Sequence, residues 1–253
     1  MLNYAVGHEV SGHILGGVAV ALLFGPVTAM WLMTAVLVVQ AVIFGDGGIM
    51  ALGANILNMA IIAPWAGWSI TRLAVRPGQG KIATLAQASF AGWMSVQLAA
   101  LACGWEVSLS GRAAPEFLAT LLNVHLWIGG GEALLSVAAA ILAMTTLKTT
   151  SRVPTIAALL TVLVIALALV PSASERPDGL EWSAARAGIV QPATPDLGWS
   201  WQLSDYQISA LANHAALSTI AAGVIGCAAM VLCGIALQNV AEVVRPRRST
   251  SDV

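Results

Sequence analysis

Charge is what this chain lacks. Of its 253 residues only 9% are Asp, Glu, Lys or Arg, against roughly 25% in a soluble domain, while 58% are hydrophobic and the mean hydropathy is +0.84. That balance excludes a soluble globular protein and points to an all-α integral membrane protein, because barrel strands would alternate apolar and polar positions and these runs do not. A net charge of −1 leaves no basic field for nucleic acid, so lipid is the expected surrounding. Cysteine is scarce too. Cys103, Cys227 and Cys233 lie in apolar stretches without a CxxC pair and read as small core hydrophobes, neither a disulfide framework nor a thiolate metal site. The start, Met-Leu-Asn-Tyr-Ala-Val-Gly-His-Glu, lacks the cationic segment of a signal peptide. No internal repeat supports a transporter built from inverted halves. No phosphate loop is present either, since Gly78-Gln79-Gly80-Lys81-Ile82 lacks the upstream glycine spacing and a Ser or Thr after the lysine.

Apolar runs are what the chain has in abundance. Crossing a bilayer takes ~20 apolar residues, and a polytopic bundle of about seven helices is expected at 11–25, 27–44, 52–73, 82–104, 115–147, 153–171 and 213–240. The fifth is long for one span, and Gly129-Gly130-Gly131 is expected to bend or break it. Arg72, Arg76, Lys81, Lys148, Arg152, Arg245, Arg247 and Arg248 fall on one side if the chain alternates, against Arg112, Arg176 and Arg186 on the other. The richer side is cytoplasmic, which puts the N-terminus outside and the C-terminus inside the cell membrane. A polar linker, 148–152, separates a bundle over 1–147 from a two-helix module over 153–253 with an outer loop at 173–210.

Polar groups within such runs are the functional suspects, because an unpaired one costs several kcal/mol. His13 follows Ser11-Gly12 at the entrance to the apolar stretch 14–24, with Ser11 placed to cap a helix. A neutral imidazole there is a good ligand for nickel, cobalt or zinc. His8-Glu9 with His13 is not a zinc-protease motif, because the histidines are five apart rather than four. Asp46-Gly47-Gly48 is a turn, its aspartate suited to accept backbone N–H bonds. Asn55 and Asn58 share a helix face, as interhelical glue or as support for a metal site. His125 and Glu132 lie two turns apart on one face, as a buried pair, as side chains each bonded to backbone, or as the one acid–base couple a membrane enzyme could use. Gly17, Ala21 and Gly25 form a small-residue face that another helix, internal or from a partner subunit, could approach.

Several segments together resemble a known family. Ser11-Gly12-His13-Ile14-Leu15-Gly16-Gly17, Gln40-Ala41-Val42-Ile43-Phe44-Gly45-Asp46-Gly47-Gly48, Leu52-Gly53-Ala54-Asn55-Ile56-Leu57-Asn58-Met59 and His125-Leu126-Trp127-Ile128-Gly129-Gly130-Gly131-Glu132 look like the CbiM/NikM substrate-capture components of energy-coupling-factor importers. Pro177-Asp178-Gly179-Leu180-Glu181 and Leu203-Ser204-Asp205-Tyr206 resemble the PDGLE partner module often fused to them, a pattern more typical of nickel than of cobalt versions. The resemblance implies an importer component, not an enzyme, that captures Ni(II) or Co(II) as transported substrate outside the cell, with no organic cofactor. It implies ABC-type ATPase subunits and a transmembrane coupling subunit of the T/Q type as partners. His13 matches the position of a family metal ligand, with His8 a weaker candidate and Ser11, Asp46, Asn55, Asn58, His125 and Glu132 around it. The family begins Met-His-Ile, whereas this chain begins Met-Leu-Asn, so the resemblance starts within the family's first domain and implies that further ligands are missing here. The alternative expectation is a truncated, metal-free structural subunit.

Overall fold

The computed structural model describes residues 2–74, 78–112, 115–146, 174, 176–189, 203, 206, 208–211 and 213–244. It opens on a hairpin. Strands β1 (Leu2–Ala5) and β2 (Ser11–Ile14) pair antiparallel, with Asn3 opposite His13 and Tyr4 opposite Gly12. Helix α1 (Gly17–Phe24) follows at once, so the helix expected over 11–25 is instead a strand and an eight-residue helix. Gly16 makes the break: at φ 77° it adopts a left-handed conformation that other residues reach only at a cost, turning the chain out of β2. Ser11 therefore lies in a strand and caps nothing.

A second left-handed glycine, Gly25 (φ 88°), separates α1 from α2 (Pro26–Phe44), where Pro26 supplies the preset φ of a first helical residue. The last turn of α2, Gln40–Phe44, is π-helical. Gly45, Gly47 and Gly48, all at positive φ, then reverse the chain into α3 (Ile49–Ala74), which contains a second π segment at Ile56–Ile62. Such wide turns are rare and concentrate at functional sites. Here they carry Gln40 and Asn58. Two long helices, α4 (Lys81–Leu109) and α5 (Pro115–Thr146), are followed by the short α6 (Gly179–Arg186) and by α7 (Ala215–Val244).

Among the described residues, α2, α3 and α5 are long and apolar enough to cross a membrane. The span expected at 153–171 lies outside the described residues. Within α5, Trp127 and Leu134 are 70% and 75% exposed and present apolar surface outward, as a lipid-facing helix does.

Without a hydrophobic drive between helices in lipid, the bundle is held by close approach of small residues. α4 and α5 run antiparallel, with Gly92 against Ser136 and the Glu132 carbonyl, and Gly104 against Leu118. α1 packs on α3 through Gly17 at Pro64 and Gly67 at Val18. The Gly17/Ala21 face, read from sequence as a docking surface, is thus filled by the chain's own α3; Ala21 is buried, and Gly25 serves as the α1–α2 break. The triple glycine does not interrupt α5. A Cβ on Gly129 would meet Trp93 and one on Gly131 would meet Tyr4, so these glycines admit neighbours and the helix runs through them. α6 lies over α4 and α5, where Ala184 and Leu180 pack on Ala100, Phe117 and Leu121. Tyr206 stacks on Phe44 with centroids 4.5 Å apart, beside Ala222 of α7.

Candidate functional site around His13

β2 presents the His13 ring between two oxygen acceptors. Its Nδ1 lies 2.6 Å from Oδ1 of Asn3, the residue directly opposite on β1, and its Nε2 lies 3.1 Å from Oδ2 of Asp178. The two charged-type side chains are 23% and 24% exposed, so the pair is sheltered yet reachable. Asn3 supplies what a ligating histidine needs behind it, a carbonyl oxygen on the far ring nitrogen that fixes ring orientation.

Asp178 is anchored as firmly. Its Oδ1 accepts from the backbone N–H groups of Leu180 (2.7 Å) and Glu181 (2.8 Å), while the Glu181 carboxylate accepts from the Asp178 N–H (3.3 Å). This is a capping box at the N-terminus of α6. The Pro177–Glu181 segment, which on turn propensity alone reads as an exposed loop turn, is instead a helix start pressed against His13. The D-x-x-E spacing was a legible signal for the helix. Nothing local could have signalled its destination.

The same segment straps the hairpin. Ser11 N–H donates to the Pro177 carbonyl (2.9 Å) and Ser11 Oγ to the Arg176 carbonyl (2.8 Å). Ser174 N–H donates to the Asn3 carbonyl (3.0 Å), and the Arg176 guanidinium to the Gly7 carbonyl (2.5 Å). Strand edges that would otherwise stand unpaired inside a helical protein are thereby satisfied.

From the other side, α5 holds the hairpin. Glu132, 1% exposed, accepts from the N–H groups of Leu15 and, at 2.7 Å, Gly16, the residues just after β2. Tyr4 Oη donates to the Ile128 carbonyl (2.6 Å) and accepts from Gly131 N–H (3.3 Å). His125 donates through Nδ1 to the Leu121 carbonyl (2.7 Å). His125 and Glu132 are therefore each bonded to backbone, one of the arrangements their spacing allows.

A second polar group surrounds the two π turns. The Asp46 carboxylate accepts from Gln40 Nε2 (3.1 Å) and from the Tyr206 hydroxyl (3.0 Å); the backbone N–H bonds expected for it are replaced by these side chains. Burial, followed by the Asp46 charge, pushes the Tyr206 hydroxyl above its ordinary range, so it remains a donor. Asn58 donates across to Glu106 of α4 (2.9 Å), whereas Asn55 bonds back to the Gly47 carbonyl (3.3 Å). Only Asn58 of the two is interhelical glue. His8 is exposed on the hairpin turn, and among the described residues no three His, Cys, Asp or Glu side chains gather as a metal-holding group. Ser204 and Asp205 lie outside the described residues.

Electrostatics tie the pair together. Burial pulls the His13 imidazole down, but the hydrogen bond and charge of Asp178 outweigh it and leave the pKa above the ordinary 6.5. Burial likewise raises the Asp178 carboxyl, and His13 together with the Glu181 and Leu180 amides carries it below the ordinary 3.8.

Residues 1–150 match the family described as CbiM, cobalt uptake substrate-specific transmembrane region, and residues 152–241 match the PDGLE domain. A putative fused nickel transport protein NikMN of Archaeoglobus fulgidus is 35% identical over half of this chain and 41% of its own length. A probable fused nickel transport protein LarMN of Lactiplantibacillus plantarum is 32% identical over 51% of this chain and 43% of its own. The match therefore spans about two-fifths of the length of these relatives. A crystal structure of a truncated transition metal transporter is 29% identical over 57% of this chain and 73% of its own, with a TM-score of 0.48.

Proposed function

The chain belongs to the CbiM family, with a PDGLE domain behind it, and from that premise we propose that it captures Ni(II), or Co(II), at the extracytoplasmic face of the cell membrane for ATP-driven import. His13 is a protein ligand of the ion. The observation that carries this reading is the ring's placement: Asn3 holds Nδ1 from behind and leaves Nε2 directed at an anchored carboxylate, in a position a quarter open to the surroundings. Imidazole nitrogen suits both ions, and the two fused nickel transport relatives favour nickel.

The rest of the importer is supplied by other subunits. The sequence carries no phosphate loop, so ABC-type ATPases drive transport, and a transmembrane coupling subunit of the T/Q type links them to this chain. The lysine and arginine bias supports an arrangement with the hairpin and the PDGLE segment toward the outside and the C-terminus in the cytoplasm.

The test is Ni(II) uptake by cells expressing the chain with its transport partners. His13→Ala lowers accumulation to background while the protein level in the membrane stays unchanged. Undiminished uptake by that variant sinks the assignment. A second reading, a metal-free structural subunit, draws on the lack of a three-ligand group among the described residues. It requires that the purified chain show no saturable Ni(II) binding.

A further inference from the structure

We infer that Asp178 supplies a second, oxygen ligand to the ion held at His13, so that the metal bridges the PDGLE domain to the CbiM region. The inference rests on the reading of His13 as a metal ligand and adds a residue from the other domain to the same centre.

Geometry carries it. Two neighbouring donors bound to one divalent ion at about 2.0–2.2 Å, at the angles of square, octahedral or tetrahedral coordination, stand roughly 2.8–3.6 Å apart. His13 Nε2 and Asp178 Oδ2 are 3.1 Å apart, within that range, so an ion can enter between them without moving either backbone. Both donors are held from behind. Asn3 fixes the imidazole through Nδ1. The Leu180 and Glu181 amides occupy Oδ1 of Asp178 and leave Oδ2 as the oxygen facing the ring. Further bonds between the domains, from Ser11 to Pro177 and Arg176, from Ser174 to Asn3 and from Arg176 to Gly7, set the distance between the two donors. A carboxylate also brings negative charge, which imidazole cannot, to a divalent cation leaving water in a partly sheltered place. Nickel and cobalt accept such mixed nitrogen–oxygen sets.

The experiment uses the full chain in lipid nanodiscs, titrated with Ni(II) against a metallochromic competitor and measured by X-ray absorption at the nickel edge. Asp178→Asn is the informative variant, because Asn caps a helix as well as Asp and keeps α6 in place. Unchanged hydrogen exchange at Leu180 and Glu181 verifies the cap. The expected result is at least tenfold weaker binding, with the imidazole signature kept and one oxygen scatterer lost. Binding by Asp178→Asn equal to or tighter than wild type overturns the proposal, the latter marking the carboxylate as a competitor for His13. His13→Ala separates the two levels. If it abolishes binding while Asp178→Asn does not weaken it, the His13 reading stands and the bridge falls. If it binds as wild type does, both fall.

Discussion

Replacing Glu132 with leucine removes the acceptor that holds the chain where β2 gives way to α1. The two donors it satisfies, Leu15 N–H and Gly16 N–H, are directed into the protein, and Glu132 itself is 1% exposed, so no water stands ready to replace it. A buried N–H left unpaired costs about 1–3 kcal/mol, which puts the pair at about 2–6 kcal/mol. Glutamine keeps an acceptor oxygen in the same place. Its side-chain oxygen can still accept from these amides, so Glu132→Gln is expected to lose less than Glu132→Leu does. Hydrogen exchange read by mass spectrometry on the full chain in nanodiscs measures this directly. At the middle of the range, about 4 kcal/mol, the amides of Leu15 and Gly16 exchange nearly a thousandfold faster in Glu132→Leu, with glutamine in between. Because those residues follow His13, Ni(II) binding weakens in the same order. Exchange at 15 and 16 unchanged in Glu132→Leu would refute the anchoring role.

Gly92→Ala places a Cβ 2.6 Å from the Glu132 carbonyl and is expected to destabilise the α4–α5 contact by about 1–3 kcal/mol in thermal unfolding, whereas Gly130→Ala, with open space around it, is expected to be neutral or stabilising. Asn58→Leu leaves the Glu106 carboxylate without its donor and is expected to cost about 1.5–3 kcal/mol in the same assay. In the metal-free chain, docking of the PDGLE segment follows the His13–Asp178 pair. The raised pKa of His13 gives a contribution that is full below about pH 6.5 and lost as pH rises through the folded value; the lowered pKa of Asp178 gives one that is full above about pH 3.8 and lost as pH falls through the folded value. Oxidative footprinting of Trp182 on α6 is expected to show greatest protection between those limits, and protection that rises with pH on the alkaline side contradicts the pairing.

The long apolar helices were legible because their signal is carried by composition over ~20 residues, which no local detail overrides. α2, α3, α4, α5 and α7 fall close to their expected positions. The 11–25 stretch misled for the opposite reason. Its apolar residues are helical in character, but Gly16 and a distant strap decide that Ser11–Ile14 extends. His13 stood out through its own chemistry. Its neighbours did not, because Asn3 is ten residues away and Asp178 is 165, and nothing in a linear pattern marks a residue as somebody else's partner. Gly129 and Gly131 looked like breakers because a glycine's freedom is visible in sequence, whereas Trp93 and Tyr4, which need the missing Cβ atoms, come from elsewhere.

The separation between His13 and Asp178 also has a consequence for biogenesis. At ~5–20 residues per second, the ribosome takes roughly 8–33 s to make the 165 residues between them. During that interval the hairpin is already synthesised while its strap does not yet exist. Ser11 and the Asn3 carbonyl must find temporary partners, in water, headgroups or a membrane chaperone. Completion of the His13 pocket is thus a late event in synthesis, and a nascent chain stalled before Pro177 would carry the histidine without the structure that aims it.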